Sequence, residues 1–93
     1  MQSKELIEKL ERLAPPEYAE SWDNPGLLVG SAKREVHKVY IALDADGEAV
    51  DRAVRCGCDM ILTHHPLLFS AVKSIRDEDF IGHRLMMMIE NRI

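Results

Sequence analysis

Residues 38–66 read KVYIALDADGEAVDRAVRCGCDMILTHHP, and this stretch decides the fold. It begins with the continuously apolar run Val39–Leu43, which is typical of a strand covered on both faces. Residues 47–56 carry apolar side chains at helical spacing, and residues 59–63 form a second short apolar strand. Two strands joined by one helix with short connections predict a parallel pair with a right-handed crossover.

The rest of the chain predicts helices on both sides of this unit. Residues 3–13 have an amphipathic pattern that ends at Pro15-Pro16, and residues 79–91 repeat apolar side chains at helical spacing. A short apolar run at residues 27–30 predicts one more strand. The predicted fold class is therefore α/β, a layered sandwich with helices packed on a small mixed sheet, in a single domain over residues 1–93.

Length and charge exclude several classes of protein. The chain has 93 residues, of which 12 are Lys or Arg and 16 are Asp or Glu, so its net charge is −4. Because binding to a nucleic-acid backbone uses a basic surface, this charge argues against a nucleic-acid partner. No apolar run approaches the roughly 20 residues of a membrane span, and the N-terminus lacks the apolar segment of a signal peptide. We therefore expect a cytoplasmic protein.

Three polar residues follow the two predicted strands. Asp44 comes directly after the first strand, and His64 and His65 come directly after the second. Because parallel strands end at the same edge of a sheet, we expect these side chains to gather where open α/β sheets bind ligands. Extended backbone sends neighbouring side chains to opposite sides. This suits two metal ions, or one ion bound by one histidine and supported indirectly by the other, better than one ion held by both imidazoles. The same pair also fits two structural loop histidines.

Three stretches of the chain occur in the same order in a known family. They are Asp59–Phe69 (DMILTHHPLLF), Glu20–Gly30 (ESWDNPGLLVG) and the interval from Val39 to Gly57. The first is similar to a metal-binding segment, and the second is similar to an N-terminal loop signature. By these segments the chain resembles the GTP cyclohydrolase 1 type 2 family, the Nif-three-like dinuclear-metal proteins. The resemblance covers essentially the whole chain and only the N-terminal part of the family's longer proteins.

The resemblance implies a function for the histidine pair. It makes His64 and His65 ligands of two divalent metal ions, which would be zinc, iron or manganese. The family's other ligands belong to segments that this chain lacks, so we expect an incomplete site here. The implied reaction is hydrolytic opening of a purine nucleotide ring, and the implied assembly is a homohexamer. The resemblance identifies no catalytic residue beyond the ligands.

Three other residues near this edge each have two possible interpretations. Asp44 is either a helix cap or a side chain that lines the site. Trp22 and Asn24 either bind a base or shape a turn with the indole in the core, and we favour the second reading. A different class of function is also compatible with the sequence, namely a non-catalytic scaffold or protein-interaction module without bound metal.

The remaining notable residues have plain structural interpretations. Cys56 and Cys58 are too close in sequence for an easy disulfide, so we expect two buried, reduced thiols. His37 and His83 are isolated and are expected to face solvent. The methionines at 86–88 predict core packing together with an apolar patch that favours self-association.

Overall fold

The structure is a computed structural model that describes residues 1–93. Its elements in chain order are helix α1 (Ser3–Leu13), a 3-10 turn (Pro16–Tyr18), strand β1 (Val39–Ala42), helix α2 (Gly47–Arg55), strand β2 (Met60–Thr63) and helix α3 (Phe80–Glu90). The two strands pair in parallel, and the helices complete an α/β fold. The predicted fold class and the parallel strand–helix–strand unit are confirmed. No helix here is both long and apolar enough to cross a membrane.

The sheet has fewer strands than the sequence predicts. Residues 27–30 form a loop instead of a strand, so the sheet is purely parallel and not mixed. The backbone of Gly26 (φ 112°) and Gly30 (φ 110°) lies in the positive-φ region. The chain therefore turns at both ends of this short apolar run, and the run pairs with neither strand of the sheet.

Strand β1 is covered on one face only. Tyr40 packs against the core, whereas Ile41 is 74% exposed and Leu43 is 62% exposed. Successive side chains of a strand point to opposite faces, so one face of β1 has no covering layer. The expectation of a strand buried on both faces is therefore wrong for this chain.

The core lies between α2, α3 and the sheet. Val50 on α2 is fully buried, and it contacts a small cluster that also contains Ala45, Ala53, Cys58, Leu85, Met88 and Ile93. Asp46 caps α2 as predicted, because its carboxylate accepts a hydrogen bond from the backbone N–H of Ala49 (2.8 Å). Cys58 is buried as expected, but Cys56 is exposed, since it follows the last turn of α2.

Helix α1 is attached to the rest of the chain mainly through its N-terminus. The backbone N–H of Ser3 donates to Arg34 (2.7 Å), and that of Lys4 donates to Ala32 (2.8 Å). An antiparallel bridge joins the neighbouring Gln2 and Glu35. Between α1, the 23–31 loop and β2 lies a cavity of about 370 Å³, lined largely by apolar side chains.

Asp59 closes the sheet at the end opposite the histidines. Its carboxylate accepts backbone hydrogen bonds from His37 (2.7 Å) and Lys38 (2.9 Å), while its own N–H donates to the Lys38 carbonyl (2.8 Å). These two backbone donors hold the pKa of Asp59 below its usual range. The charged form of Asp59 therefore stabilises the start of both strands.

Arg84 joins α3 to the loop between β1 and α2. The residue is buried, and its guanidinium donates to the carbonyl oxygens of Ala45 (2.6 Å) and Phe80 (3.2 Å). The same group lies 4.1 Å from the centre of the Phe80 ring, and burial lowers its pKa. Arg84 thus holds the loop that carries Asp44.

We expect the substitution Asp59→Asn to weaken the acid dependence of folding. Because the pKa of Asp59 is lowered on folding, its contribution is fully present above about pH 5 and is lost as pH falls through the folded pKa. The free energy of unfolding from urea titrations between pH 3 and 7 checks this. The matched control is Asp77→Asn, in an exposed loop, which should follow the wild type. Identical pH curves for Asp59→Asn and wild type would contradict the assignment.

We expect Arg84→Met to lower the free energy of unfolding by about 1–3 kcal/mol, since the Ala45 carbonyl loses a charged donor in a buried place. Arg55→Met is the matched control, because Arg55 is exposed and pairs with Asp51 one helical turn away (2.7 Å). Such a surface pair contributes less than about 1 kcal/mol. Chemical denaturation measures the free energy of unfolding of both variants. Equal losses in the two would show that the buried Arg84 contact stabilises the fold no more than a surface ion pair does.

Candidate metal site

The candidate site begins where the parallel ladder ends. The last paired residues are Ala42 on β1 and Thr63 on β2. Two further backbone hydrogen bonds join the segments beyond this last pair, because the N–H of His64 donates to the Ala42 carbonyl (3.3 Å) and that of His65 donates to the Leu43 carbonyl (3.0 Å). The backbone of both histidines is therefore held against the end of β1.

The two imidazole rings lie on the same side of the backbone just after the end of strand β2. Their centroids are 4.7 Å apart and their planes are tilted by 58°. The backbone bends at these residues, and the Thr63 hydroxyl donates to the His65 carbonyl (2.6 Å) across the bend. The expectation that His64 and His65 point to opposite sides is thus wrong, because the strand ends before them.

Asp44 reaches the histidine pair from the end of β1. Its Oδ1 lies 2.9 Å from Nδ1 of His65, within hydrogen-bond distance. Because Asp46 caps α2, the Asp44 carboxylate is not needed as a helix cap. The structure therefore places Asp44 beside the histidines. Both Asp44 and His65 remain open to solvent.

His64 lies on the cavity side of this sheet edge. Its ring makes no hydrogen bond, and it lines the cavity below α1 together with Asn24. The side-chain amide of Asn24 donates to the Leu68 carbonyl (2.6 Å), which ties the N-terminal loop to the segment after the histidines. Trp22 is 69% exposed and does not line this cavity. The expected burial of Trp22 in the core is therefore wrong, and Asn24 is the loop residue that meets the site.

The donor set fits part of a metal site. Imidazole nitrogens are common ligands of divalent transition metals, and both rings are accessible. No group of three or more His, Cys, Asp or Glu side chains in the chain is arranged to hold an ion. Catalytic zinc sites generally use three protein ligands, so His64 and His65 would be at most two of the donors that such a site needs.

One residue that supports the site, Arg84, was not predicted from the sequence. Arg84 donates a hydrogen bond to the loop that carries Asp44, although it does not contact the histidines. Its position gave a usable signal, because Arg84 falls on the apolar stripe of α3 that also contains Ile81 and Met88. A charged residue on such a stripe needs a buried hydrogen-bonding partner. His83, next to it, is exposed as expected.

Comparison with known proteins gives a consistent result along the whole chain. The family model described as Duf34/NIF3 (NGG1p interacting factor 3) matches residues 1–93. A GTP cyclohydrolase 1 type 2 homolog from Clostridium perfringens is 36% identical over 93 residues, which are 100% of this chain and 36% of the relative. The GTP cyclohydrolase 1 type 2 of Helicobacter pylori J99 is 39% identical over 90 residues, 97% of this chain and 36% of that protein.

Solved structures show the same fold over a part of their length. A Bacillus cereus protein related to NIF3 superposes with a TM-score of 0.93 at 34% identity, covering 100% of this chain and 26% of that one. Reduced HcgD from Methanocaldococcus jannaschii gives 0.92 at 37% identity, covering 100% and 37%. The chain spans about a third of the length of the curated relatives it matches. Its sequence and fold place this chain in the DUF34/NIF3 family.

Proposed function

We propose that this chain supplies two ligands, His64 and His65, to a divalent-metal site of a hydrolase-like protein. The observation that carries the proposal is the placement of two accessible imidazoles 4.7 Å apart at the carboxyl edge of the parallel strands. Metal ions in dinuclear hydrolytic sites lie about 3.5–4 Å apart, a spacing that two adjacent imidazoles can serve with one ligand each. The remaining ligands come from outside these residues.

The residues of this chain have distinct parts in such a site. His64 and His65 bind the metal ions, and the Thr63 hydroxyl stabilises the backbone bend at these two residues. Asn24 fixes the loop beside His64. A pair of divalent ions, when bound, lowers the pKa of a water ligand and polarises an electrophile, which is the chemistry of hydrolysis. The chain's own contribution is to orient ligands on a rigid sheet edge.

The relatives suggest the substrate class. The Helicobacter pylori relative is named GTP cyclohydrolase 1 type 2, so we propose a purine nucleotide as substrate and ring hydrolysis as the reaction. The cavity of about 370 Å³ next to His64 offers an apolar wall beside the proposed ions. Self-association into a hexamer stays a prediction, in keeping with exposed apolar side chains such as Ile41 and Phe80.

A scaffold without metal is the competing function. It is favoured by one observation, the lack of any three-donor cluster among these residues. A scaffold would use the exposed apolar side chains of β1 and α3 and would not need accessible imidazole nitrogens. Metal binding by the purified chain separates the two functions.

We expect the metal-free chain to bind Co²⁺ or Zn²⁺ through the histidine pair, as measured by isothermal titration calorimetry and by the visible spectrum of Co²⁺. His64→Ala and His65→Ala should each weaken binding by at least about tenfold, because each removes a direct ligand. The matched control is His83→Ala, which removes an exposed imidazole from α3 and should leave the affinity unchanged.

Circular dichroism should show the same fold for all three variants, because each of the substituted histidines is exposed to solvent. Wild-type protein that binds neither ion would favour the scaffold. Equal weakening by His83→Ala would show that binding is unspecific, and it would also overturn the proposed site.

A further inference from the structure

We infer that Asp44 is a positioning residue that holds the His65 ring in one tautomer, with Nε2 free for a metal ion. The inference rests on the proposed metal site and adds to it the identity of the coordinating atom. It starts from a single contact, the 2.9 Å separation between Oδ1 of Asp44 and Nδ1 of His65.

The chemistry of the two groups fixes the direction of this hydrogen bond. An ionised carboxylate only accepts hydrogen bonds, so the proton between the two atoms belongs to Nδ1 of His65. In a neutral imidazole the other nitrogen, Nε2, then has a free lone pair. Metal-binding histidines commonly donate their second ring nitrogen to a carboxylate, which fixes the ring and makes the ligand more basic.

Both partners of this contact are held by their backbone. On the Asp44 side, Arg84 donates to the adjacent Ala45 carbonyl in a buried hydrogen bond (2.6 Å), and Asp46 caps α2 just beyond it. On the His65 side, the residue's N–H donates to Leu43 (3.0 Å). The contact thus joins two loops that the fold already places, and Asp44 does not have to order either one.

The histidine pair is asymmetric in consequence. The His64 ring has no carboxylate partner and no hydrogen bond, although it lies beside the His65 ring. We therefore assign a ligand oriented by a carboxylate at His65 and a ligand without such a partner at His64. Only His65 should respond to removal of the Asp44 carboxylate.

The test is to measure ring tautomers in the metal-free, ¹⁵N-labelled chain by long-range ¹H–¹⁵N correlation. At about pH 8 an ordinary histidine is mostly neutral, so the two tautomers are distinguishable. His37 and His83, both exposed, provide internal references, and His65→Ala assigns the His65 signals. We expect His65 in the Nδ1–H form in wild type. In Asp44→Ala, we expect the tautomer mixture of the exposed references.

Two further variants sharpen the result. Asp44→Asn offers donor N–H groups as well as an acceptor oxygen, so it can pair with either tautomer and should weaken the preference for the Nδ1–H form, whereas Asp77→Ala removes an exposed carboxylate elsewhere and should change nothing. Zn²⁺ affinity should fall by about 10–100-fold in Asp44→Ala and stay unchanged in Asp77→Ala.

The outcomes separate this inference from the proposed function. A wild-type His65 in the Nε2–H form, or a tautomer ratio unchanged by Asp44→Ala, overturns the positioning role even if the chain binds metal. Zn²⁺ binding that ignores Asp44→Ala also overturns it. A wild type in the Nδ1–H form that depends on Asp44 but binds no metal supports the positioning role and overturns the metal site.

Discussion

The parallel pairing of β1 with β2 is the constraint on which the candidate site depends. Four residue pairs form the ladder, from Val39 with Met60 to Ala42 with Thr63. Two further backbone hydrogen bonds join His64 and His65 to Ala42 and Leu43, so the register of the sheet sets the position of both histidines. A shift of register by one residue would exchange the faces of β2 and separate the imidazoles from Asp44.

The surroundings of this edge combine rigid and open parts. The helix cap at Asp46 and the buried contact of Arg84 fix the loop on one side of the edge. On the other side lies the cavity beneath α1, and Asn24 ties its rim to the segment after the histidines. The imidazole rings themselves remain accessible. This arrangement suits residues that must be held in place and still reach a ligand.

The sequence predicted the helices, both strands and their parallel order, because apolar periodicity and capping residues report on local structure. Burial was predicted less well from the sequence, because it depends on which elements pack over a given surface. Continuous apolarity in β1 indicated two covered faces, yet Ile41 is exposed. Trp22 was expected to lie in the core beside a turn, but its side chain is mostly exposed. Residues 27–30 were expected to form a strand, but two positive-φ glycines turn the chain there.

The candidate site, like the fold, could be predicted from the sequence only in part. Adjacency to strand ends was enough to place Asp44 and the histidines at one edge, since topology determines it. The bend that brings the rings together depends on where the ladder stops, and the Thr63 hydroxyl bond accompanies it. These are tertiary details that side-chain alternation cannot supply. Arg84 stands out in the sequence as a charged residue on the apolar stripe of α3, but its partner, the Ala45 carbonyl, is known only once α3 is packed against the loop.

The X-ray absorption spectrum of the chain with bound Zn²⁺ tests the central claim most directly. If both histidines bind metal, the spectrum will contain a nitrogen shell at about 2.0–2.1 Å with the multiple-scattering pattern of imidazole. That pattern will disappear in the double variant His64→Ala with His65→Ala. A wild-type spectrum with oxygen ligands only, or an imidazole pattern that survives the double substitution, would contradict the account.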